Sequence, residues 1–445
     1  MATERRVTSS RIGRLSILGR LAGGIAGGVV SEGARQLARG QKPNIGELLL
    51  TPANARRLAD RLSEMRGAAM KVGQLMSMDS GSVLPAELSQ VLDRLREDAH
   101  QMPLGQVAAT LKAAWGEGWE NQFERFFFTP VAAASIGQVH KAILKDGRRI
   151  AVKIQYPGIR RSIDSDVDNV ATLLRMFNLV PEGMDVTPFL DEAKQQLHLE
   201  ADYAYEAQSI GRFTHRLGAD TRFTVPAVVE ELTSPDVLAM TFLDGDAIET
   251  LDSAPAEVRN RVAEDLLELA LKEVYDWGLV QTDPNFANYL YDASQNRIQL
   301  LDFGATREFA ETRRLHLRQL LGACIDEDTP AIEAAATHLG YLGDGDNTGY
   351  REAILDLLRT ATEPARHDGD YDFQRSTLAP RMSDLIVQMR LKQRFTRLPP
   401  MDVLFLHRKL GGLYLLLARL KAKIPVKAIV APYAGIVPAD LDATG

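Results

Sequence analysis

The sequence predicts a mixed α+β protein, in which a strand-rich region follows one helical region and precedes another. Residues 138–144 and 148–155 are β-rich runs on either side of Lys145-Asp146-Gly147, so they predict a β-hairpin. Apolar residues recur at helical spacing within residues 46–125, and residues 307–445 have a helical pattern throughout. The length of 445 residues is compatible with about three domain-sized units.

The first element is a basic N-terminal tail, residues 1–45. It contains eight Lys or Arg residues and two acidic ones, a net charge of +6, so the rest of the chain carries −13. The apolar run at residues 21–30 is too short to span a bilayer as a helix, which needs about 20 residues. A basic segment with an apolar face can lie on an anionic membrane surface. A solvated N-terminus or a transit peptide would have the same composition.

The elements that follow the tail alternate in type. Residues 46–125 predict helices, one of them over residues 85–96. After the hairpin, the pattern predicts helices at residues 163–179 and 189–216 and strands at residues 224–229, 237–242, 288–291 and 297–301. The apolar run at residues 410–418 predicts a buried core helix, because it too is short of a membrane span.

Charge and composition exclude several classes of function. The net charge of −7, from 52 basic and 59 acidic residues, argues against a generic nucleic-acid binder. The single cysteine, Cys324, excludes a disulfide framework and a multi-cysteine zinc site. The eight histidines do not form an H-E-x-x-H motif, so a metal hydrolase is not favoured.

Two motifs around the hairpin suit phosphate binding. Residues 132–139 read A-A-A-S-I-G-Q-V and compare with the kinase pattern G-x-G-x-x-G-x-V, with alanines at the first two glycine positions. A turn of small residues lets backbone N–H groups approach phosphate oxygens. The next strand carries Ala151-Val152-Lys153-Ile154, and a lysine flanked by apolar residues is costly to bury unless it is paired.

Two further motifs follow in the order and with the spacing of a kinase. Asp283 and Asn288 keep the five-residue offset of the kinase catalytic loop, in which a carboxylate faces the acceptor and an amide turns back to a metal. Asp302 begins a D-F-G motif fourteen residues after Asn288, at the end of an apolar run. Each motif alone is weak, but the four in order predict nucleotide phosphate chemistry.

Together these motifs resemble the UbiB family of atypical kinases, the coenzyme Q biosynthesis kinase-like proteins, over roughly residues 10–440. The family-specific features are a K-x-G-Q motif, an alanine-rich loop in place of the glycine-rich loop, an E-x-D motif, and Q-T-D in place of H-R-D. They lie at residues 71–74, 132–135, 200–202 and 281–283. The C-terminal membrane spans that some bacterial members carry are not recognised in this sequence.

The resemblance implies a two-lobed protein-kinase-like fold with an N-terminal helical extension and extra C-terminal helices. The implied domains are the tail at residues 1–45, the helical extension with the K-x-G-Q motif at 46–125, the N-lobe at 126–243 and the C-lobe at 244–445. The implied cofactors are ATP or ADP and Mg²⁺.

The resemblance also implies roles for individual residues. Asp283 is the implied catalytic acid–base group, and Asn288 and Asp302 are the implied magnesium ligands. Nucleotide binding is assigned to Ala132, Ala133, Ala134, Ser135, Lys153, Glu206, Met240, Thr241, Phe242 and Leu243, of which the last four form the hinge. A regulatory role is assigned to Lys71, Gly73, Gln74, Glu200 and Asp202.

The implied function is an atypical kinase or ATPase that supports ubiquinone biosynthesis. It is not expected to be a conventional protein kinase, because the family places the K-x-G-Q segment where a peptide would bind. The alternative is a nucleotide-regulated pseudokinase scaffold for lipid or quinone-pathway enzymes. Expected partners are a membrane lipid surface, quinone-pathway enzymes or phenolic lipid intermediates, and a second copy in a homodimer, but no nucleic acid. The expected location is the cytoplasmic face of the inner membrane in a bacterium, or else the mitochondrial matrix side.

Overall fold

A computed structural model describes Leu62 and residues 65–80, 102–134, 136–176, 186–393 and 399–434. The predicted basic tail at residues 1–45, the helix predicted over residues 85–96, and Ser135 lie outside the described residues. The chain divides into two compact units. The first unit runs to Gly211 and includes Pro226–Leu243, and the second comprises Arg212–Val225 and the residues from Asp244 onward. Elements are numbered below in chain order.

The first unit is built on a five-stranded antiparallel sheet. Its strands are β1 (Phe123–Phe126), β2 (Ala132–Ala133), β3 (Gly137–Leu144), β4 (Arg149–Gln155) and β6 (Val237–Thr241). The strand order is β1-β3-β4-β6, with β2 paired to β3. The predicted hairpin is β3–β4, and its turn contains Gly147 at φ 85°, a left-handed conformation that favours glycine.

One face of this sheet forms the core of the unit. Side chains alternate between faces along β4, so Val152 and Ile154 are fully buried against α2 (Leu104–Trp115). Leu111 of α2 and the aromatic side chains Trp119 and Phe123 complete this cluster. The alternation places Lys153 on the opposite face of β4 from Val152 and Ile154.

The remaining helices of the first unit are α1 (Arg66–Ser80), α3 (Ile159–Met176), α4 (Thr187–Glu200) and α5 (Tyr203–Leu217), the last of which crosses the division after Gly211. Helix α1 packs against α3 and α4. The sequence predicted one helical stretch over residues 189–216, but the structure ends α4 at Glu200 and begins α5 at Tyr203. Helical spacing does not detect such a short break.

The second unit contains small sheets among helices. The four-stranded sheet has the order β5-β10-β9-β7, and β8 pairs with β11. Their bounds are β5 Phe223–Thr224, β7 Asp246–Ala247, β8 Leu279–Gln281, β9 Tyr289–Asp292, β10 Arg297–Leu300 and β11 Thr306–Glu308. The prediction that residues 307–445 are helical throughout is wrong. β11 extends to Glu308, and β12 (Tyr371–Asp372) pairs with β13 (Lys423–Ile424).

Helices make up most of the second unit. They are α6 (Ala256–Leu271), α7 (Glu311–Ile325), α8 (Thr329–His338), α9 (Thr348–Ala361), α10 (Glu363–Arg366), α11 (Leu378–Gln393), α12 (Met401–Arg419) and α13 (Val426–Val430). The apolar run at residues 410–418 belongs to α12, which buries Leu413, Leu416 and Leu417 but exposes Leu410 and Leu415. Among the described residues, no helix combines the length and the apolar composition needed to cross a membrane.

Candidate active site

Lys153 forms a buried ion pair with Glu206 in the first unit. Lys153 lies on β4, between Val139 of β3 and Leu238 of β6, and Glu206 lies in the first turn of α5. Only 10% of the lysine side chain and 3% of the glutamate side chain are exposed. Charges so deeply buried are costly unless they are paired. The lysine is therefore not a surface residue of an edge strand, and its partner, Glu206, is one of the residues that the resemblance assigns to nucleotide binding.

The E-x-D motif lies between α4 and α5, and its two acidic residues make different contacts. Asp202 is positioned as the N-cap of α5, because its Oδ1 accepts hydrogen bonds from Ala204 N at 3.1 Å and Tyr205 N at 3.2 Å. Glu200 instead forms an ion pair with Lys71 of α1. Asp202 thus fixes the start of the helix that carries Glu206.

The K-x-G-Q motif lies on α1, and the Lys71–Glu200 pair joins this helix to the end of α4. Lys71 is buried, Gly73 is buried and Gln74 is half-buried. Neighbouring apolar side chains of α1, such as Val72 and Leu75, are buried as well. Both packing and a buried ion pair therefore hold α1 within the first unit.

The alanine-rich loop begins on β2, where Ala132 and Ala133 are exposed and pair with β3. The half-buried Ala134 donates its N–H to the carbonyl oxygen of Gly137 at 2.9 Å. A Cβ on Gly137 would lie 2.3 Å from the carbonyl oxygen of Ile154. The last glycine of the kinase pattern is therefore required here by the close approach of β3 to β4.

The predicted hinge continues the last strand of the first unit. Met240 is buried and pairs with Ala151, while Thr241, Phe242 and Leu243 are half-buried. Phe242 N donates to the carbonyl oxygen of Arg149 at 3.0 Å, and Thr241 N donates to that of Ala227 at 2.8 Å. These two N–H groups are therefore bonded within the unit, and the adenine contact of the hinge stays a prediction.

The second unit contains the Q-T-D loop, which follows β8. Asn285 Oδ1 accepts from Ala287 N at 3.2 Å and starts a short 3₁₀ turn over Phe286–Asn288. This turn brings Asn288 back to Asp283, where its Nδ2 donates to the backbone oxygen at 3.1 Å and to Oδ2 at 3.3 Å. The five-residue offset therefore places the amide beside the carboxylate, as the kinase pattern requires.

Asp302 follows β10 and lies in a chain segment adjacent to Asn288. Leu301 N donates to the backbone oxygen of Asn288 at 3.0 Å, and Asp302 Oδ1 accepts from Gly304 N at 2.9 Å. Phe303 is buried, with its ring 4.9 Å from that of Phe213 between centroids. The structure thus places Asn288 beside Asp283, and it places the segment that carries Asp302 beside the backbone of Asn288.

Sequence reasoning missed Arg408, which lies on α12. Its Nη2 donates to Asp283 Oδ1 at 2.5 Å. The next residue, Lys409, forms a buried ion pair with Glu273, and Glu273 Oε2 in turn accepts from Gln281 N at 2.9 Å. Burial raises the pKa of Glu273, while Lys409 opposes this rise. Two adjacent cations within an otherwise apolar helix were the signal that could have pointed to this cluster.

The second-unit residues fit a magnesium ion that is bound with a nucleotide. Mg²⁺ prefers oxygen ligands and is usually held by one or two protein groups together with substrate phosphates. Asp302 offers a carboxylate, and because Asn288 Nδ2 donates to Asp283, the amide oxygen of Asn288 is the atom suited to a metal. Among the described residues, no group of three or more His, Cys, Asp or Glu side chains could hold a metal.

Comparison with known proteins identifies the family. Residues 94–336 match the ABC1 atypical kinase-like domain. The atypical kinase COQ8, mitochondrial, of Saccharomyces cerevisiae is 38% identical over 420 residues, which are 94% of this chain and 83% of that protein. The atypical kinase COQ8B, mitochondrial, of Rattus norvegicus is 38% identical over 95% of this chain and 80% of its own length.

A solved structure agrees with these matches. Rv3197 from Mycobacterium tuberculosis, determined in complex with erythromycin, is 27% identical, with a TM-score of 0.59, over 87% of this chain and 97% of that one. The predicted α+β kinase-like fold is thereby confirmed. The chain belongs to the UbiB family of ABC1 atypical kinases.

Proposed function

We propose that the protein is an ATPase or phosphotransferase that uses Mg-nucleotide and supports ubiquinone biosynthesis. The observation that carries this proposal is the assembled Lys153–Glu206 ion pair, which active kinases require for phosphate binding. The contact of Asn288 with Asp283, and the hydrogen bond that links the chain just before Asp302 to Asn288, support the same proposal. A scaffold without chemistry would have no need to keep all of these groups.

Each residue has a role that follows from its chemistry. Lys153 holds and neutralises the nucleotide phosphates, and Glu206 keeps the lysine oriented. Asn288 and Asp302 hold Mg²⁺, which supplies charge neutralisation on the phosphate oxygens. Asp283 orients the attacking water or hydroxyl group and takes up its proton.

The acceptor is proposed to be water or a small phenolic or lipid-like molecule rather than a protein. The K-x-G-Q helix is fixed by the buried Lys71–Glu200 pair and by its packing against α3 and α4. If this helix occupies the place of a peptide substrate, as the family resemblance implies, displacing it would require breaking a buried ion pair. The competing proposal is a pseudokinase scaffold that binds nucleotide without hydrolysing it.

The cellular context is proposed from the relatives, whose names place them in mitochondria. We propose that the protein acts on the matrix side of a mitochondrial inner membrane, or on the cytoplasmic face of a bacterial one. Its proposed partners are the lipid surface, quinone-pathway enzymes or phenolic intermediates, and a second copy of the chain. The basic tail at residues 1–45 would provide the membrane contact, at about 1 kcal/mol for each basic residue near an anionic surface.

The decisive experiment measures phosphate release from ATP by the purified full chain. It is run with and without Mg²⁺, anionic vesicles and a phenolic quinone precursor. Removing a general base or a metal ligand typically lowers the rate by about 10²-fold or more, so we expect that loss for Asp283→Asn and Asp302→Asn. Asp370→Asn is the matched control, because Asp370 is an exposed aspartate of the same unit.

Nucleotide binding is measured in parallel by thermal shift with ATP, with and without Mg²⁺. The Mg²⁺-dependent part of the shift should be lost in Asp302→Asn, because the amide lacks the charge that offsets dehydration of the metal. If the wild type binds ATP but under no condition releases phosphate or transfers it to the phenolic precursor, the scaffold proposal is correct instead.

A further inference from the structure

Three residues within one helical turn of α12 contact the segment around Asp283 or a residue bonded to that segment. Arg408, Lys409 and Gly412 reach Asp283, Glu273 and Pro284, respectively. We propose that α12 positions the Q-T-D loop, called the catalytic loop below, and that glycine at position 412 allows this loop to come close to α12. This inference rests on the proposed catalytic role of Asp283.

Position 412 requires glycine because there is no room for a Cβ, and not because of the backbone conformation. An added Cβ would lie 2.2 Å from Pro284 Cβ and 2.4 Å from its Cγ, far inside van der Waals contact. Neither the proline ring nor the helix backbone can move aside as a flexible side chain would. Glycine in a helix interior is destabilising relative to alanine, and at position 412 the contact with Pro284 gives a steric reason for it.

The preceding residue, Gly411, provides a natural comparison. Among the described residues, no atom outside its immediate neighbourhood lies within 4 Å of a Cβ built on Gly411. The two glycines share one helix and its backbone geometry, yet only Gly412 contacts the catalytic loop. The same substitution at the two positions therefore separates loop displacement from any general effect of alanine on the helix.

Arg408 lies one helical turn before Gly412 and on the same face of α12. Its guanidinium engages one oxygen of Asp283, and Asn288 engages the other. The carboxylate is thus held at both oxygens by donors from two different elements. Arg408 is a positioning residue in this arrangement, because it acts on the acceptor through Asp283.

Lys409 extends the contact to the strand that precedes the loop. The Lys409–Glu273 pair is almost completely buried, with 4% and 2% of the side chains exposed, and Glu273 accepts from the backbone of Gln281. Contacts that originate on α12 therefore reach residues 281, 283 and 284 of one short segment. That segment cannot shift without breaking a buried ion pair or leaving the surface of α12.

The chemical consequence is a defined position for Asp283. Proton transfer requires heavy atoms within hydrogen-bond reach, and a misplacement of about 1 Å can cost roughly 10²-fold in rate. The phosphate-binding pair Lys153–Glu206 belongs to the first unit and makes its contact there. Displacement of the loop should therefore lower kcat more than it changes the KM for ATP.

The test compares Gly412→Ala with Gly411→Ala in the full chain. We expect Gly412→Ala to lower kcat for phosphate release by about 30-fold or more with KM for ATP within about threefold, and Gly411→Ala to stay within about twofold of wild type. Amide hydrogen exchange of residues 279–289 is measured on both variants. It should become faster in Gly412→Ala only, because only that variant disturbs the loop.

The exchange measurement separates this inference from the proposed function. If the wild type neither releases nor transfers phosphate but Gly412→Ala still accelerates exchange in the loop, the proposed activity fails and α12 remains the positioning element. If Gly412→Ala matches Gly411→Ala in both kcat and loop exchange, the inference is overturned.

A second pair of variants applies if Gly412→Ala does not fold. Arg408→Gln removes the positive charge that faces Asp283, and Arg408→Lys keeps a positive charge there without the planar donor geometry. Positioning by α12 predicts a loss of kcat in Arg408→Gln that Arg408→Lys partly restores, with KM for ATP maintained. Wild-type kcat in both variants would overturn the inference.

Discussion

Asp202 offers the sharpest separation of a structural role from a chemical one, because its carboxylate contacts the backbone at the start of α5. Replacing it with alanine leaves the N–H groups of Ala204 and Tyr205 without their side-chain acceptor. Glu206 lies four residues after Asp202, in the first helical turn. Fraying of that turn would loosen the glutamate that holds Lys153. Asp202→Ala should therefore weaken both stability and phosphate binding.

The expected loss of stability in the Asp202 variants follows from the two hydrogen bonds and the charge of Asp202. Loss of an aspartate N-cap to alanine costs about 0.5–2 kcal/mol, and two bonded N–H groups place Asp202 in the upper part of that range. Asparagine caps as well as aspartate, so Asp202→Asn loses only the charge interaction with the helix terminus, about 0.3–1 kcal/mol. For a domain of about 150–250 residues, each kcal/mol lowers Tm by roughly 2–4 °C.

The assay combines thermal unfolding with ATP affinity. Asp328→Ala is the matched control, because Asp328 caps α8 in the second unit by accepting from Ala331 N at 3.1 Å. It should cost similar stability without changing ATP affinity, whereas Asp202→Ala should lower both. If Asp202→Asn loses as much ATP affinity as Asp202→Ala, the charge of Asp202 matters rather than its capping, and the reasoning above is refuted.

Two further predictions concern buried polar groups. Lys409→Met leaves Glu273 buried without its cation and should lower the free energy of unfolding, measured in urea, by about 3–5 kcal/mol. Lys409→Met combined with Glu273→Gln should recover part of that loss. An equal loss in the single and the double variant would contradict the pairing. His140 is held neutral, because its Nδ1 donates to the carbonyl oxygen of Phe127 and its Nε2 accepts from Gln138, and burial lowers its pKa below the ordinary 6.5. Its contribution to stability should be complete above pH 6.5 and be lost as pH falls towards the lowered pKa. The free energy of unfolding, measured in urea, should therefore fall more steeply below pH 6.5 in the wild type than in His140→Gln.

Motifs that depend on short offsets were well predicted from the sequence. The β3–β4 hairpin follows from two apolar runs around a glycine turn, and the structure places it within one residue of the prediction. The five-residue offset between Asp283 and Asn288 is short enough for one 3₁₀ turn to close, which explains their contact, while their separate roles at the acceptor and the metal stay predictions. In both cases the chain brings the residues together locally, so no knowledge of the tertiary fold was needed.

The boundaries of several elements could not be predicted, for identifiable reasons. The break between α4 and α5 is only two residues long, and apolar spacing continues across it. An aspartate just before a helix start was the available indication, but such residues also occur within helices. The strands β12 and β13 have two residues each, too few for any alternation to show.

The contacts of α12 show where pattern reasoning ends. Arg408 reaches Asp283 across a sequence separation of 125 residues, and Lys409 reaches Glu273 across 136. Spacing cannot predict such partners, but the burial rule gives a partial substitute. An apolar helix that contains adjacent cations must either expose them or pair them, and the burial of Lys409 shows that pairing prevails. Acidic residues next to a recognised catalytic motif are then the first partners to consider, which in this chain would have included Asp283 itself.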